Sequence, residues 1–129
     1  GYGLDLLSYL ASSHETLVVM PQIEHADAVE DIDAILAVDG IDCVVVGPFD
    51  LSASLGHPGE LDHPAVTKAI RRVVRACHRA GKHAGIFAGT PEFAKTWRAE
   101  GFQVVAVGAD VALLAGAASA LLGAMRSSE

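Results

Sequence analysis

DGIDCVVVGPFDLSASLG, Asp39 to Gly56, is the stretch whose reading decides the fold. Its centre, Cys43 to Val46, is a charge-free run rich in β-branched valine, and Gly47-Pro48 closes it. A strand with one wet face alternates apolar and polar side chains; a short run without alternation reads as a strand buried on both faces, the habit of parallel sheets. Working outward, Leu17 to Glu24, Ala84 to Gly89 and Gln103 to Gly108 each contain a similar short apolar run. The segments between them follow a helical period. Ala28, Ile32, Ile35 and Leu36 form one apolar stripe, with Glu30, Asp31 and Asp33 on a more polar side. Val66, Ile70, Val73, Val74 and Cys77 form a second, with Pro64 in the first turn and Gly81 at the end. Thr90 as N-cap, Pro91 and Glu92 open a third, which runs through Phe93 and Trp97 to Gly101. Val111 to Met125 is the fourth, and Leu6, Leu7 and Leu10 mark part of a helix ahead of the first strand.

A strand followed by a helix, four times over, means an α/β fold with a parallel sheet and right-handed crossovers. Two architectures fit, an open doubly wound sheet or part of a (β/α)8 barrel. The barrel takes about 250 residues and eight units, so four units supply half of one. The pattern alone leaves both open. Residues 1–129 read as a single domain, and Leu51 to Asp62 as a glycine-containing connection long enough for a mobile active-site loop.

Composition narrows the partners. At 51% hydrophobic and 19% charged the chain is globular, and a formal net charge of -7 argues against nucleic acid or an anionic membrane surface. The charge-free stretch Val111 to Met125 is shorter than the roughly 20 residues of a membrane-spanning helix. The N-terminal GYGLDLLSYL has neither a basic flank nor a cleavage site, so no secretory signal is read and a cytoplasmic location is expected. Cys43 and Cys77, each inside an apolar run, read as core residues.

In either architecture ligands bind at the C-terminal ends of the strands. The first strand ends Gln22-Ile23-Glu24, where alternation puts Gln22 and Glu24 on one face; the second ends Gly47-Pro48-Phe49-Asp50. If these strands are neighbours, about 4.8 Å apart, Glu24 and Asp50 come within reach of one ion. Two carboxylates so placed repel unless one is protonated or a cation lies between them, and oxygen ligands suit a hard ion such as Mg²⁺ or Mn²⁺. Gly47 allows a ligand close to the backbone, and the N–H groups of Phe49 and Asp50, if they open a helical turn, are donors for a substrate carboxylate. A plainer reading has Asp50 capping the turn and Glu24 paired with a Lys or Arg, and spacing does not choose. His14, His25, His57, His63, His78 and His83 lack HExxH-type spacing and read as loop or surface residues. Gly85 to Gly89 and Val107-Gly108 contain no nucleotide-binding motif, and Ser52 and Ser54 have no nucleophile-elbow context. Phe93 and Trp97 read as core packing or a subunit contact.

QIE at Gln22 to Glu24, the stretch Asp39 to Gly56, His63-Pro64, AGKHAGIF from Ala80 to Phe87 and VAVGAD from Val105 to Asp110 together resemble the HpcH/HpaI family of class II pyruvate aldolases. QIE combined with GPFDLS is specific; either alone is weak. The resemblance covers nearly the whole chain and implies the second half of a (β/α)8 barrel. It implies that Glu24 and Asp50 hold a divalent metal (Mg²⁺ or Mn²⁺), and that Gln22 is an active-site amide ordering metal-bound water or substrate. It further implies that the Phe49 and Asp50 amides, with Gly47, receive the pyruvate carboxylate, and that Phe87 lines the aldehyde side and narrows acceptor choice. The implied reaction is reversible aldol cleavage of a 4-hydroxy-2-oxo acid to pyruvate and an aldehyde, with the metal as Lewis acid.

The family's catalytic His, its supporting Asp and a substrate-contacting Arg lie in the first half of the barrel, and none of the six His here matches that base. The expectation is therefore a metal-binding half with little turnover of its own, or a non-catalytic half-barrel that assembles with itself or a partner chain. A half-barrel leaves strand edges and an apolar face exposed. The family forms hexamers with C-terminal helices packed across subunits, which implies a homo-oligomer in which Val111 to Met125 serves a neighbour.

Overall fold

Every strand predicted from its apolar run is present in the computed structural model, which describes residues 3–126. In chain order the elements are α1 (Leu6–Thr16), β1 (Gln22–Ile23), α2 (Ala26–Glu30), α3 (Ile32–Leu36), β2 (Cys43–Val46), α4 (Pro48–Ser54), α5 (Pro64–Arg79), β3 (His83–Ala88), α6 (Pro91–Ala99), β4 (Val104–Val107) and α7 (Asp110–Arg126). The strands lie in the order β1-β2-β3-β4, all parallel. Gln22 pairs with Val45, Val45 with Gly85 and Gly85 with Val104, so these four form one row across the sheet.

Alternation decides what each face does. Ile23, Val44, Val46, Ala84 and Ile86 are buried in the core beneath the helices. The other face carries Gln22, Val45, Gly85, Phe87 and Val104, and here Phe87 and Val104 remain about 40% exposed (42% and 40%). One side of the sheet is therefore covered and the other open.

The helix α5 gives the covered side its largest set of buried residues. Its predicted stripe, Val66, Ile70, Val73, Val74 and Cys77, is wholly buried together with Ala69 and Ala76. Burial of side chains of this size stabilises by about 1.5–3 kcal/mol each. Both thiols are inert core groups, as read; burial pushes Cys77 up to about 11 and also raises Cys43. The helix ends in a Schellman motif: Gly81, at φ 66, lets Lys82 N–H reach Cys77 O at 2.9 Å and its own N–H reach His78 O at 3.3 Å. The α6 terminus repeats the device with Gly101, Phe102 N–H donating to Trp97 O at 3.2 Å. At Gly101 a Cβ would also lie 2.6 Å from His78 Cε1, so space as well as φ calls for glycine there.

Three expectations change. The first periodic segment is two short helices, α2 and α3, broken at Asp31 (φ -87, ψ 12). The first strand is paired only over Gln22–Ile23, though Val19 and Pro21 carbonyls still accept from β2. Leu51 to Asp62 is not all loop, because α4 runs to Ser54. The helices α1 and α7 bury no residue, and no helix of the described residues is long and apolar enough to cross a membrane. Gly1, Tyr2 and residues 127–129, part of the single-domain reading, lie outside the described residues.

Candidate functional site

The candidate site residues sit at the C-terminal ends of β1 and β2. The last rung between them is Gly47 N–H to Ile23 O at 3.0 Å, with Ile23 pointing into the core. Its neighbours Gln22 and Glu24 consequently project from the open face, and both are exposed. They converge on Gly47. A Cβ placed there would lie 2.6 Å from Gln22 Nε2, 3.3 Å from Glu24 Cβ and 3.3 Å from Glu24 Oε2. With φ -97 and ψ 90 Gly47 has a backbone open to any residue, so its need is for room.

From Gly47 the chain turns directly into α4. Pro48 takes the first helical position, where its missing N–H costs nothing. The first helical hydrogen bond is Leu51 N–H to Gly47 O, 3.0 Å, and among the described residues no side chain caps the preceding N–H groups of Phe49 and Asp50. Asp50 lies within the first turn and is exposed; it is not the N-cap. Among the described residues neither Glu24 nor Asp50 has an ion-pair partner. The plainer reading of these two carboxylates, as cap and as salt-bridge member, is therefore not what the structure has.

Ser54 ties the two strand exits together, and Ser52 ties α4 to the connection that follows it. Ser54 Oγ accepts the Ala26 N–H at 3.0 Å and donates to Leu51 O at 3.0 Å. Glu24 and His25 are thereby held between that bond and the Gly47–Ile23 rung. Ser52, fully buried, donates to Phe49 O at 2.6 Å and accepts the Gly59 N–H at 2.9 Å. The residue type that a sequence reader assigns to loops here pins one strand exit to the next. Phe87, two residues past Gly85 on the same face of β3, stands level with Gly47 by continuation of the Val45–Gly85 register. It is partly exposed and borders the open face.

One cluster escaped the sequence reading. His57, Glu60 and His63, in the connection between α4 and α5, bring one donor atom each within 4.8 Å of one another. Their spacing is not the helical HExxH pattern. The signal lay in the spacing of three, because Glu60 N–H bonds His57 O and His63 N–H bonds Glu60 O, both at 3.0 Å. The first of these turns carries Gly59 at φ 80 and the second leads straight into α5, and together they bring the three side chains to one side of the connection.

A four-stranded parallel β/α repeat with Gln22, Glu24 and Gly47 together at adjacent strand ends, and Asp50 in the turn that follows, fits part of a (β/α)8 barrel, in which ligands bind at the C-terminal face. The chain belongs to the HpcH/HpaI aldolase/citrate lyase family, whose pattern matches residues 7–117. It is 44% identical over 110 residues to a hydroxypyruvate/pyruvate aldolase of Chromohalobacter salexigens, covering 85% of this chain and 43% of that protein. It is 45% identical over 106 residues to a 2-keto-3-deoxy-L-rhamnonate aldolase of Klebsiella pneumoniae, covering 82% of this chain and 40% of the relative. The crystal structure of an HpcH/HpaI aldolase/citrate lyase family protein from Burkholderia cenocepacia superimposes with a TM-score of 0.87 at 40% identity, over 92% of this chain and 46% of that one. The chain thus spans under half the length of each of these three relatives.

Proposed function

We propose that this chain provides the metal- and 2-oxo-acid-binding strand ends of a class II aldolase that cleaves 4-hydroxy-2-oxo acids to pyruvate and an aldehyde. The observation that carries the proposal is the Gly47 cradle, with Gln22 and Glu24 directed over a backbone where a Cβ would press on both, and Asp50 one helical turn away. The names of the two relatives, both aldolases of 2-oxo acids, support the same substrate class. Glu24 and Asp50, two carboxylates without a cationic partner, form an all-oxygen donor set that fits Mg²⁺ or Mn²⁺. When bound, such an ion supplies Lewis acidity to the substrate carbonyl. The uncapped N–H groups of Phe49 and Asp50 donate to the substrate carboxylate, Gln22 orients the 2-oxo acid with its amide, and Phe87 limits the size of the aldehyde. Calorimetric titration with Mn²⁺ and then pyruvate tests the assignment. Glu24→Gln and Asp50→Asn each weaken Mn²⁺ binding by about tenfold or more; unchanged binding in both variants overturns it.

A second reading concerns assembly. The helix α7 buries nothing and exposes Val111, Leu113, Leu114, Leu121, Leu122 and Met125, while α1 exposes Leu6, Leu7, Tyr9 and Leu10. Apolar surface on that scale favours association. We propose that the chain forms a homo-oligomer through these helices. Light scattering coupled to size-exclusion chromatography gives a mass of at least two chains; a stable monomer removes this reading.

A further inference from the structure

We propose that His57, Glu60 and His63 form a second metal site, separate from Glu24 and Asp50, that takes a borderline transition-metal ion such as Zn²⁺. Three observations carry it. The donors are already gathered, with one ligand atom from each residue within 4.8 Å of the others, and His57 and His63 are both half-buried. The backbone that presents them is fixed. His57 N–H bonds Ser52 O at 2.8 Å, Gly59 N–H bonds the buried Ser52 hydroxyl at 2.9 Å, and the two three-residue turns follow. The donor set is also chemically distinct. Two imidazoles with one carboxylate select Zn²⁺, Co²⁺ or Ni²⁺ over Mg²⁺, whereas two carboxylates do the reverse.

The present side-chain arrangement indicates what binding changes. The two rings are stacked with centroids 3.4 Å apart and planes at 19°, so their in-plane lone pairs run side by side. One ring turns about its χ2 for both to face a common ion. The His63 Nδ1 accepts the Ala65 N–H at 3.2 Å as the N-cap of α5, which leaves the proton of the neutral ring on Nε2. Ligation by His63 therefore exchanges that cap bond for the metal bond. Glu60 and His57 have no ion-pair partner among the described residues, so neither gives up such a partner. The bound ion ties the α4–α5 connection into a closed loop. Gly59 in that loop lies against Phe49, where a Cβ would be 3.7 Å from the ring, so the tie borders the strand-end face without entering it.

The test is Zn²⁺ and Co²⁺ titration of the 129-residue chain carrying Glu24→Gln and Asp50→Asn, so that the carboxylate site is removed and the outcome does not depend on it. One Zn²⁺ per chain binds, and Co²⁺ gives the visible absorption of a protein-bound, nitrogen-ligated ion. Adding His57→Gln or Glu60→Gln weakens Zn²⁺ at least tenfold, while His14→Gln, an exposed imidazole elsewhere, leaves it unchanged. The amide resonance of Ala65 shifts on titration as its acceptor is withdrawn. Failure of the chain to bind Zn²⁺, or binding that is indifferent to both His57→Gln and Glu60→Gln, overturns the site.

Discussion

Replacing Gly47 by valine weakens Mn²⁺ binding by more than a hundredfold while the parallel sheet survives. The backbone at Gly47 (φ -97, ψ 90) accepts an L side chain without strain, so any effect arises from what the side chain meets. Alanine and valine meet different things. The alanine Cβ would lie 2.6 Å from Gln22 Nε2, the mobile end of a flexible side chain, which swings aside. It would lie 3.3 Å from Glu24 Cβ, a contact that gives by only a few tenths of an ångström. Valine extends two methyl groups from the same point, and the Glu24 side chain must leave its place. Overpacking of this kind costs about 1–3 kcal/mol, within what a folded domain tolerates. The expected order in calorimetry is therefore wild type, then Gly47→Ala with a modest loss, then Gly47→Val with no measurable heat, each with an unchanged far-ultraviolet circular dichroism spectrum. Wild-type Mn²⁺ affinity in Gly47→Val would show that Glu24 is not a ligand.

The parts of the fold that were legible in the sequence are those where local preference and burial agree. In α5 the apolar stripe, Pro64 and Gly81 all specify the same helix, and the structure buries every residue of the stripe. In β2 four apolar residues followed by Gly-Pro leave one reading. The break at Asp31 was not legible, since the apolar period runs through it and only the backbone angles register the change. The short α4 was hidden for a different reason. Ser52 and Ser54 resemble loop residues, yet in the helix each donates three residues back, to Phe49 O and Leu51 O, and then accepts an N–H from another segment. Side-chain to backbone bonds of this sort carry no periodic signature. The pairing of Gln22 and Glu24 on one face was readable from alternation. Their convergence on Gly47 was not, because it depends on β1 and β2 being neighbours in register. The cluster at His57 required a period of three in a segment read as irregular.

Trp97→Ala removes about 3–5 kcal/mol of stability, a large share of the roughly 5–15 kcal/mol that domains usually have. Trp97 is 2% exposed and among the largest fully buried side chains. Phe93 and Phe102 each meet its ring edge-on at 5.9 Å, the second contact following directly from the Gly101 Schellman turn that brings Phe102 back onto the helix. The Arg71 guanidinium lies 5.6 Å from the ring centroid and is held there by Glu100 at 2.9 Å. That ion pair is partly exposed and contributes little by itself. Truncation to alanine leaves two aromatic rings and α5 facing a cavity that a rigid sheet cannot close. Phenylalanine behaves differently. Among the described residues the buried indole Nε1 has no hydrogen-bond partner, and removing an unsatisfied donor offsets part of the packing lost with the smaller ring. Trp97→Phe accordingly loses less than half of what Trp97→Ala loses in urea denaturation followed by circular dichroism; equal losses would mean that volume alone matters at this position. The Trp97 cluster belongs to the helix-covered face, whereas Gly47 opens on the other. Trp97→Ala therefore lowers the midpoint of unfolding and leaves Mn²⁺ affinity of the folded protein at the wild-type value, the reverse of the Gly47→Val pattern. Loss of Mn²⁺ affinity in folded Trp97→Ala would mean that the two faces of the sheet are coupled through β2 and β3.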